Sequence, residues 1–247
     1  MLTLETNVRR AQVYRFLADA FLYPTENWLD DADALEPILR ALGMETPSVV
    51  TCDLPLATCD LLLAACNLRL ATCDLQSEYR RALGVTGSVC YETEYGLPHE
   101  FRQSQELADI AGFYNAFGFQ MGGAVRERPD HLAAELEFMC VLALQEARAR
   151  AHAEPEHTEI CSDAQRKFLR DHLGRWIHLF AARVAQIASP GIYQQLAAFT
   201  AAFVRADAER LGAELNACAP AQIFPTPPPQ DIDCGGCPVL EYADTTY

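Results

Sequence analysis

The chain has 247 residues, half of them hydrophobic, with a formal net charge of -15 and an isoelectric point near 4.7. That balance argues against a phosphate-backbone partner, since nucleic-acid binding rests on basic patches, and it favours cationic ligands or peptides. No stretch reaches the roughly 18 uninterrupted apolar residues of a membrane span.

The N-terminal segment places Arg9 beside Arg10, but Arg15 and Asp19 interrupt what would be the apolar core of an export signal. With no secretory signal, the ten cysteines read as free thiols in a reducing, cytosolic compartment. Tyr14, Leu17, Ala18 and Phe21 form a helical stripe before Pro24. Trp28, Leu29, Ala32, Leu35 and Leu39 form a second, weakened at Pro37.

Residues 51–75 are a heptad repeat, with Cys52, Cys59, Cys66 and Cys73 each followed by Asp or Asn and then by Leu two places on. Seven residues of helix advance ~10.5 Å, too far for neighbouring thiols to share a zinc ion or pair as a disulfide. The repeat therefore reads as a buried helix in which Cys serves as a small apolar residue, redox sensing being the rival reading.

A Gly-rich loop between Gly84 and Pro98 follows, and Ser104 is a candidate N-cap for the helix beyond it. Pro129 fits the first position of a helix with the stripe Leu132, Leu136, Met139 and Ala143. Residues 153–161 are polar and read as a loop. Ser162 then caps a long helix carrying Leu169, Leu173, Trp176, Phe180, Val184 and Ile187, and a last helix covers about 192–217. Strand signals are absent, so the fold class is all-α: one helical-bundle domain over residues 1–218, with a proline-rich, acidic, cysteine-containing tail over 219–247.

Two clusters could carry function. Asp130 and His131 stand at a helix start, where a carboxylate complements the macrodipole, and Glu135 lies one turn on, at the spacing of a hydrogen bond to His131. The bland reading is a capped helix; the functional one is an exposed Asp-His-Glu patch that grips guanidinium or ammonium groups. Tyr91, Glu92, Glu94 and Tyr95 combine aromatic faces with carboxylates in a Gly-bounded loop, a set able to hold an arginine by cation–π contact and bidentate hydrogen bonds. Metal chemistry rests on Cys234 and Cys237 alone, which have the spacing of half a zinc site or of a thiol–disulfide pair. No nucleophile–base pair or phosphate-binding loop is present.

The loop YETEYG, the helix SQELADIAGFYNAFGF and the run ERPDHLAAELEFM, in that order and at this spacing, resemble the TorD/DmsD/NarJ family of molybdoenzyme maturation chaperones. Thr93 stands where that family's Tyr-Glu-Ser pattern has serine, and the Cys heptads depart from it. The DCGGCP tail resembles those of chaperones serving ethylbenzene and dimethylsulfide dehydrogenases and selenate or chlorate reductases.

The resemblance implies a cytoplasmic, non-enzymatic chaperone, monomer or homodimer. It would bind the leader of an apo molybdenum catalytic subunit and hold that subunit open for cofactor insertion. By the same resemblance Asp130 and His131 are the leader-binding pair, Glu127, Arg128 and Pro129 share their motif, and Tyr91, Glu92 and Tyr95 line the neighbouring loop. No resident cofactor is implied, only transient contact with the molybdenum cofactor or a guanine nucleotide. The alternatives are a metal or redox accessory protein acting through Cys234 and Cys237, and a permanent structural subunit of a reductase.

Overall fold

Thr3 starts the first helix, its hydroxyl accepting from the backbone N–H of Thr6, and Glu5 complements the dipole in the first turn. This helix, α1 (Leu4–Ala20), is followed by a 3-10 turn over Trp28–Ala34, α2 (Leu35–Ala41) and α3 (Thr72–Leu83). Two further 3-10 turns, Ser88–Cys90 and Glu92–Glu94, precede α4 (Arg102–Ala116), α5 (Leu132–Ala151), α6 (Pro155–Asp171), α7 (Leu173–Ile187) and α8 (Ile192–Leu211). The structure is a computed structural model and describes residues 2–44, 72–84, 88–96, 102–120, 127–187 and 191–218. Among the described residues there is no strand, Tyr91 and His131 form an isolated antiparallel bridge, and the all-α expectation holds.

α1 packs chiefly along α5, α5 along α6, and α7 along α8. One hydrophobic cluster joins them, and it contains the expected stripe of Tyr14, Leu17, Ala18 and Phe21 as well as Leu132, Leu136, Met139 and Ala143. A polar network runs through this core. Arg10, wholly buried, donates to Asp207 Oδ1 at 2.6 Å and Oδ2 at 2.7 Å, to Gln165 at 2.7 Å and to Asn7 at 2.8 Å. Tyr14 and Arg210 also donate to Asp207, and Gln165 passes the chain on to Glu146. Burial alone would raise the Asp207 pKa, but the charge and hydrogen bonds of Arg10 hold it below the usual value.

Several boundaries differ from the sequence reading, each for a local reason. The expected loop at 153–161 is largely the first half of α6, because Pro155 occupies its first position and its polar residues form an exposed face. Ser162 lies inside that helix and accepts from Arg166 instead of capping. The long helix expected beyond it breaks at His172, whose φ of -126° and ψ of -104° are not helical. Gly174 permits the break: a Cβ there would lie 2.4 Å from the Leu169 carbonyl oxygen and 2.6 Å from Leu215 Cδ2. Ser104 falls within α4. Pro37 sits in the first turn of α2, where its missing N–H costs no helical bond. α8 stops at Leu211 because Gly212 turns left-handed, with φ of 70°.

Of the heptad cysteines, Cys52, Cys59 and Cys66 lie outside the described residues. Cys73 is exposed in the first turn of α3, and it is Leu75 that is buried, so the buried-thiol expectation fails for this unit. Cys234 and Cys237 also lie outside the described residues.

Candidate functional site

The site forms where two short segments, 91–95 and 127–131, lie antiparallel at the N-terminus of α5. Arg128 to His131 make a turn closed by the His131 N–H donating to the Arg128 carbonyl at 3.0 Å. Pro129 takes the second position of that turn, where its fixed φ suits it, so it precedes α5 instead of beginning it. The turn folds the Arg128 side chain back onto Asp130, with Nη2 donating to Oδ2 at 2.7 Å and Nε to Oδ1 at 3.0 Å. The Glu92 N–H donates to the Asp130 carbonyl at 2.9 Å, and the Thr93 hydroxyl donates to Asp130 Oδ2 at 2.8 Å.

Arg128 is thereby clamped. Its guanidinium lies over the Tyr91 ring, 4.6 Å from the centroid, and Nη2 also donates to the Thr93 hydroxyl at 2.6 Å. Tyr91 in turn donates to Glu127 Oε2 at 2.9 Å; burial first and Glu127 second push its phenol up to about 12. The loop does hold an arginine by a ring face and a bidentate carboxylate, as its composition suggests, but the arginine is the chain's own. The carboxylate is that of Asp130, not Glu92 or Glu94.

The exposed Asp-His-Glu patch is therefore a correction. Asp130 and Glu135 are fully buried and His131 nearly so, while Tyr91, Glu127, Arg128 and Pro129 are half-buried. The expected hydrogen bond from His131 to Glu135 is absent too. His131 is the N-cap, with extended backbone angles, so the helical face rule does not carry from it to Glu135. Its Nδ1 accepts from the Ala133 N–H at 3.2 Å, which leaves the proton of the neutral ring on Nε2. Burial lowers its pKa, with Glu127 and Asp130 only partly offsetting, so the ring is neutral at pH 7.

Behind this rim lies a second set of buried groups. Glu135 Oε2 accepts from the Trp176 indole at 3.1 Å, and Glu92 Oε2 stands 3.2 Å from His172 Nδ1. His172 Nε2 lies 3.2 Å from Asp109 on α4. Burial would lower the His172 pKa, but its hydrogen bond and charge contact with Glu92 raise it. Tyr95 is buried, stacked on Trp176 with ring centres 5.1 Å apart, and its hydroxyl donates to the Val89 carbonyl. Arg102 closes the loop from outside, donating to the Thr93 and Tyr95 carbonyls at 2.8 and 2.7 Å. Gly96, with φ of 117°, leaves room for that guanidinium.

Thr93, Arg102, His172 and Trp176 were not among the residues expected at the site. Trp176 carried one signal, since a buried indole N–H needs an acceptor. Among the described residues no cluster of three or more His, Cys, Asp and Glu could hold a metal ion, and no helix is long and apolar enough to cross a membrane.

Residues 57–182, about half of the chain and the whole of this site, match the family model described as the nitrate reductase delta subunit. The chain belongs to the nitrate reductase delta subunit family. It is 36% identical over 143 residues to the selenate reductase assembly chaperone protein of Thauera selenatis, covering 56% of this chain and 70% of that one. It is 34% identical over 140 residues to the chlorate reductase assembly chaperone protein of Ideonella dechloratans, with the same shares. The perchlorate reductase assembly chaperone protein of Dechloromonas aromatica is 34% identical over 110 residues, 44% of this chain and 48% of that protein. These relatives are named as assembly chaperones and not as enzymes, two of them for selenate and chlorate reductases.

Proposed function

We propose that this chain is an assembly chaperone working in the cytoplasm. It binds the leader of the apo catalytic subunit of a molybdopterin-dependent oxidoreductase and keeps that subunit open until its cofactor is inserted. The observation that carries this reading is the Arg128 clamp, a complete guanidinium-binding arrangement on a chain with a formal net charge of -15. Arg128 remains 38% exposed at its side chain while Asp130 beneath it is fully buried, so the clamp opens to solvent on one side.

A leader arginine can enter by exchange. Replacing one guanidinium with another on Asp130, Thr93 and Tyr91 never leaves a buried carboxylate unpaired, a state that would cost several kcal/mol. Glu127 and the displaced Arg128 then form the rim, and His131, Glu135 and Tyr95 hold the floor without touching the peptide.

Titration of a labelled leader peptide with the chain tests this directly. Asp130→Asn weakens capture tenfold or more, Arg128→Ala strengthens it by vacating the clamp, and added salt weakens it. If Arg128→Ala folds normally and binds no better than the native chain, the exchange mechanism is wrong. The family description as a delta subunit favours a second reading, that of a permanent reductase subunit. A pull-down from the native host separates the two: a large catalytic subunit free of molybdenum supports the chaperone, and a cofactor-loaded enzyme supports the subunit.

A further inference from the structure

Glu92 and Glu135 are both fully buried, and they come from different elements: the 3-10 turn of the loop and the first turn of α5. Each has one oxygen accounted for, Glu92 Oε2 by His172 and Glu135 Oε2 by Trp176. The remaining oxygens, Glu92 Oε1 and Glu135 Oε1, have no hydrogen-bond donor. Arg175 Nε, 3.9 Å from Glu92 Oε1, is too distant to serve. Their partners, His172 and Trp176, stand four residues apart across the start of α7, so the two carboxyl groups face the same stretch of chain, and the charge of Glu92 bears on Glu135.

We propose that Glu92 and Glu135 share one proton, the Glu135 carboxyl donating to Glu92 Oε1, and that this bond seats the Tyr91–Tyr95 loop on α5. A single proton resolves both orphaned oxygens at once. Two ionised carboxylates would repel at full burial, and two protonated ones would leave His172 with only the exposed Asp109 as its counter-charge. Burial, then the Glu92 charge, push the Glu135 pKa well above the ordinary carboxyl range.

Every element packed here is consistent with that assignment. Asp130, ahead of α5, adds negative charge against Glu135; Tyr114 on α4 stays a neutral phenol with its own pKa raised; Trp176 on α7 is neutral. The positive groups, His172 at the α6–α7 break and Arg175 on α7, face Glu92. The proton therefore belongs on Glu135 and the charge on Glu92. Glu135 is a positioning residue, and the loop it seats carries the clamp.

Infrared spectroscopy of the free chain at neutral pH tests the proposal without reference to any client. The native protein shows the deuterium-sensitive carbonyl stretch of a protonated carboxylic acid, and Glu135→Gln loses it. The glutamine variant folds, because its amide donates to Glu92 and accepts from Trp176 as the protonated acid does. Native stability falls as pH rises from the ordinary carboxyl range towards the Glu135 value, and Glu135→Gln flattens that decline. Absence of the band from the native chain, its persistence in Glu135→Gln, failure of that variant to fold, or an unchanged pH slope would each overturn the proposal.

Discussion

The two ends of α5 carry two buried polar clusters of opposite character. Near its C-terminal end, Glu146 joins the Arg10–Asp207 network, where all but one buried side-chain atom, Asn7 Nδ2, has a partner. Near its N-terminal end, Glu92 Oε1 and Glu135 Oε1 have no partner unless they share a proton, His172 Nε2 has only its ion contact with Asp109, and Arg175 Nε is buried without a hydrogen bond. A satisfied network ties helices into one arrangement, whereas an incompletely satisfied one leaves its geometry dependent on protons and partners. The same helix is thus an anchor at one end and an adjustable seat at the other, and the family match places the adjustable end within the shared region.

The largest effect expected is at the anchor. Arg10→Met removes the main counter-charge of Asp207 and should cost about 3–5 kcal/mol in urea unfolding, because the carboxylate stays buried with Arg210 as its remaining cation. Peptide capture by the folded fraction should not change. At the seat, Asp130→Asn should cost less stability, about 1.5–3 kcal/mol for weakened charge-assisted bonds. It should nevertheless reduce leader affinity by tenfold or more in calorimetry. If both substitutions shift stability and affinity in parallel, the contrast between the two ends fails.

His172 provides a smaller, pH-dependent test. Its folded pKa is raised, so its stabilising contact with Glu92 is fully present below the ordinary imidazole value of 6.5 and is lost as pH rises through the folded value. His172→Gln should remove that part of the decline in melting temperature and leave the part due to Glu135, which begins at lower pH. The smallest effect belongs to the exposed Glu36–Arg40 pair on α2, where Glu36→Gln should change stability by less than about 0.5 kcal/mol.

Much of this architecture is legible in the sequence, and the misses share a cause. The stripes of Tyr14 to Phe21 and Leu132 to Ala143 predict their helices because burial of one face leaves a periodic imprint. The first half of α6 leaves little imprint, since its residues from Pro155 to Glu159 are mostly exposed, and polarity alone imitates a loop. At the site, the residue types in YETEYG suggest a ring face and carboxylates for an arginine, but pattern does not show that the chain's own Arg128 occupies that place, held by Asp130 and not by Glu92 or Glu94. Pairing Thr93 with Asp130, 37 positions apart, is a tertiary event with no local signal. His172 has none either: it acts through a helix break that depends on the close approach of Gly174 to Leu169 and Leu215.

The bridge between Tyr91 and His131 also bears on how this chain tolerates change. Residues joined through shared partners respond to substitution as a unit, with interaction energies that do not sum from the single changes. Thr93 and Arg128 both act through Asp130, so double replacements across the two segments should be strongly epistatic. A chimera that borrows only one segment from a relative would inherit a mismatched half. Under the proposed function, exchanging residues 91–95 and 127–131 together is the graft expected to transfer recognition, and exchanging either alone is not.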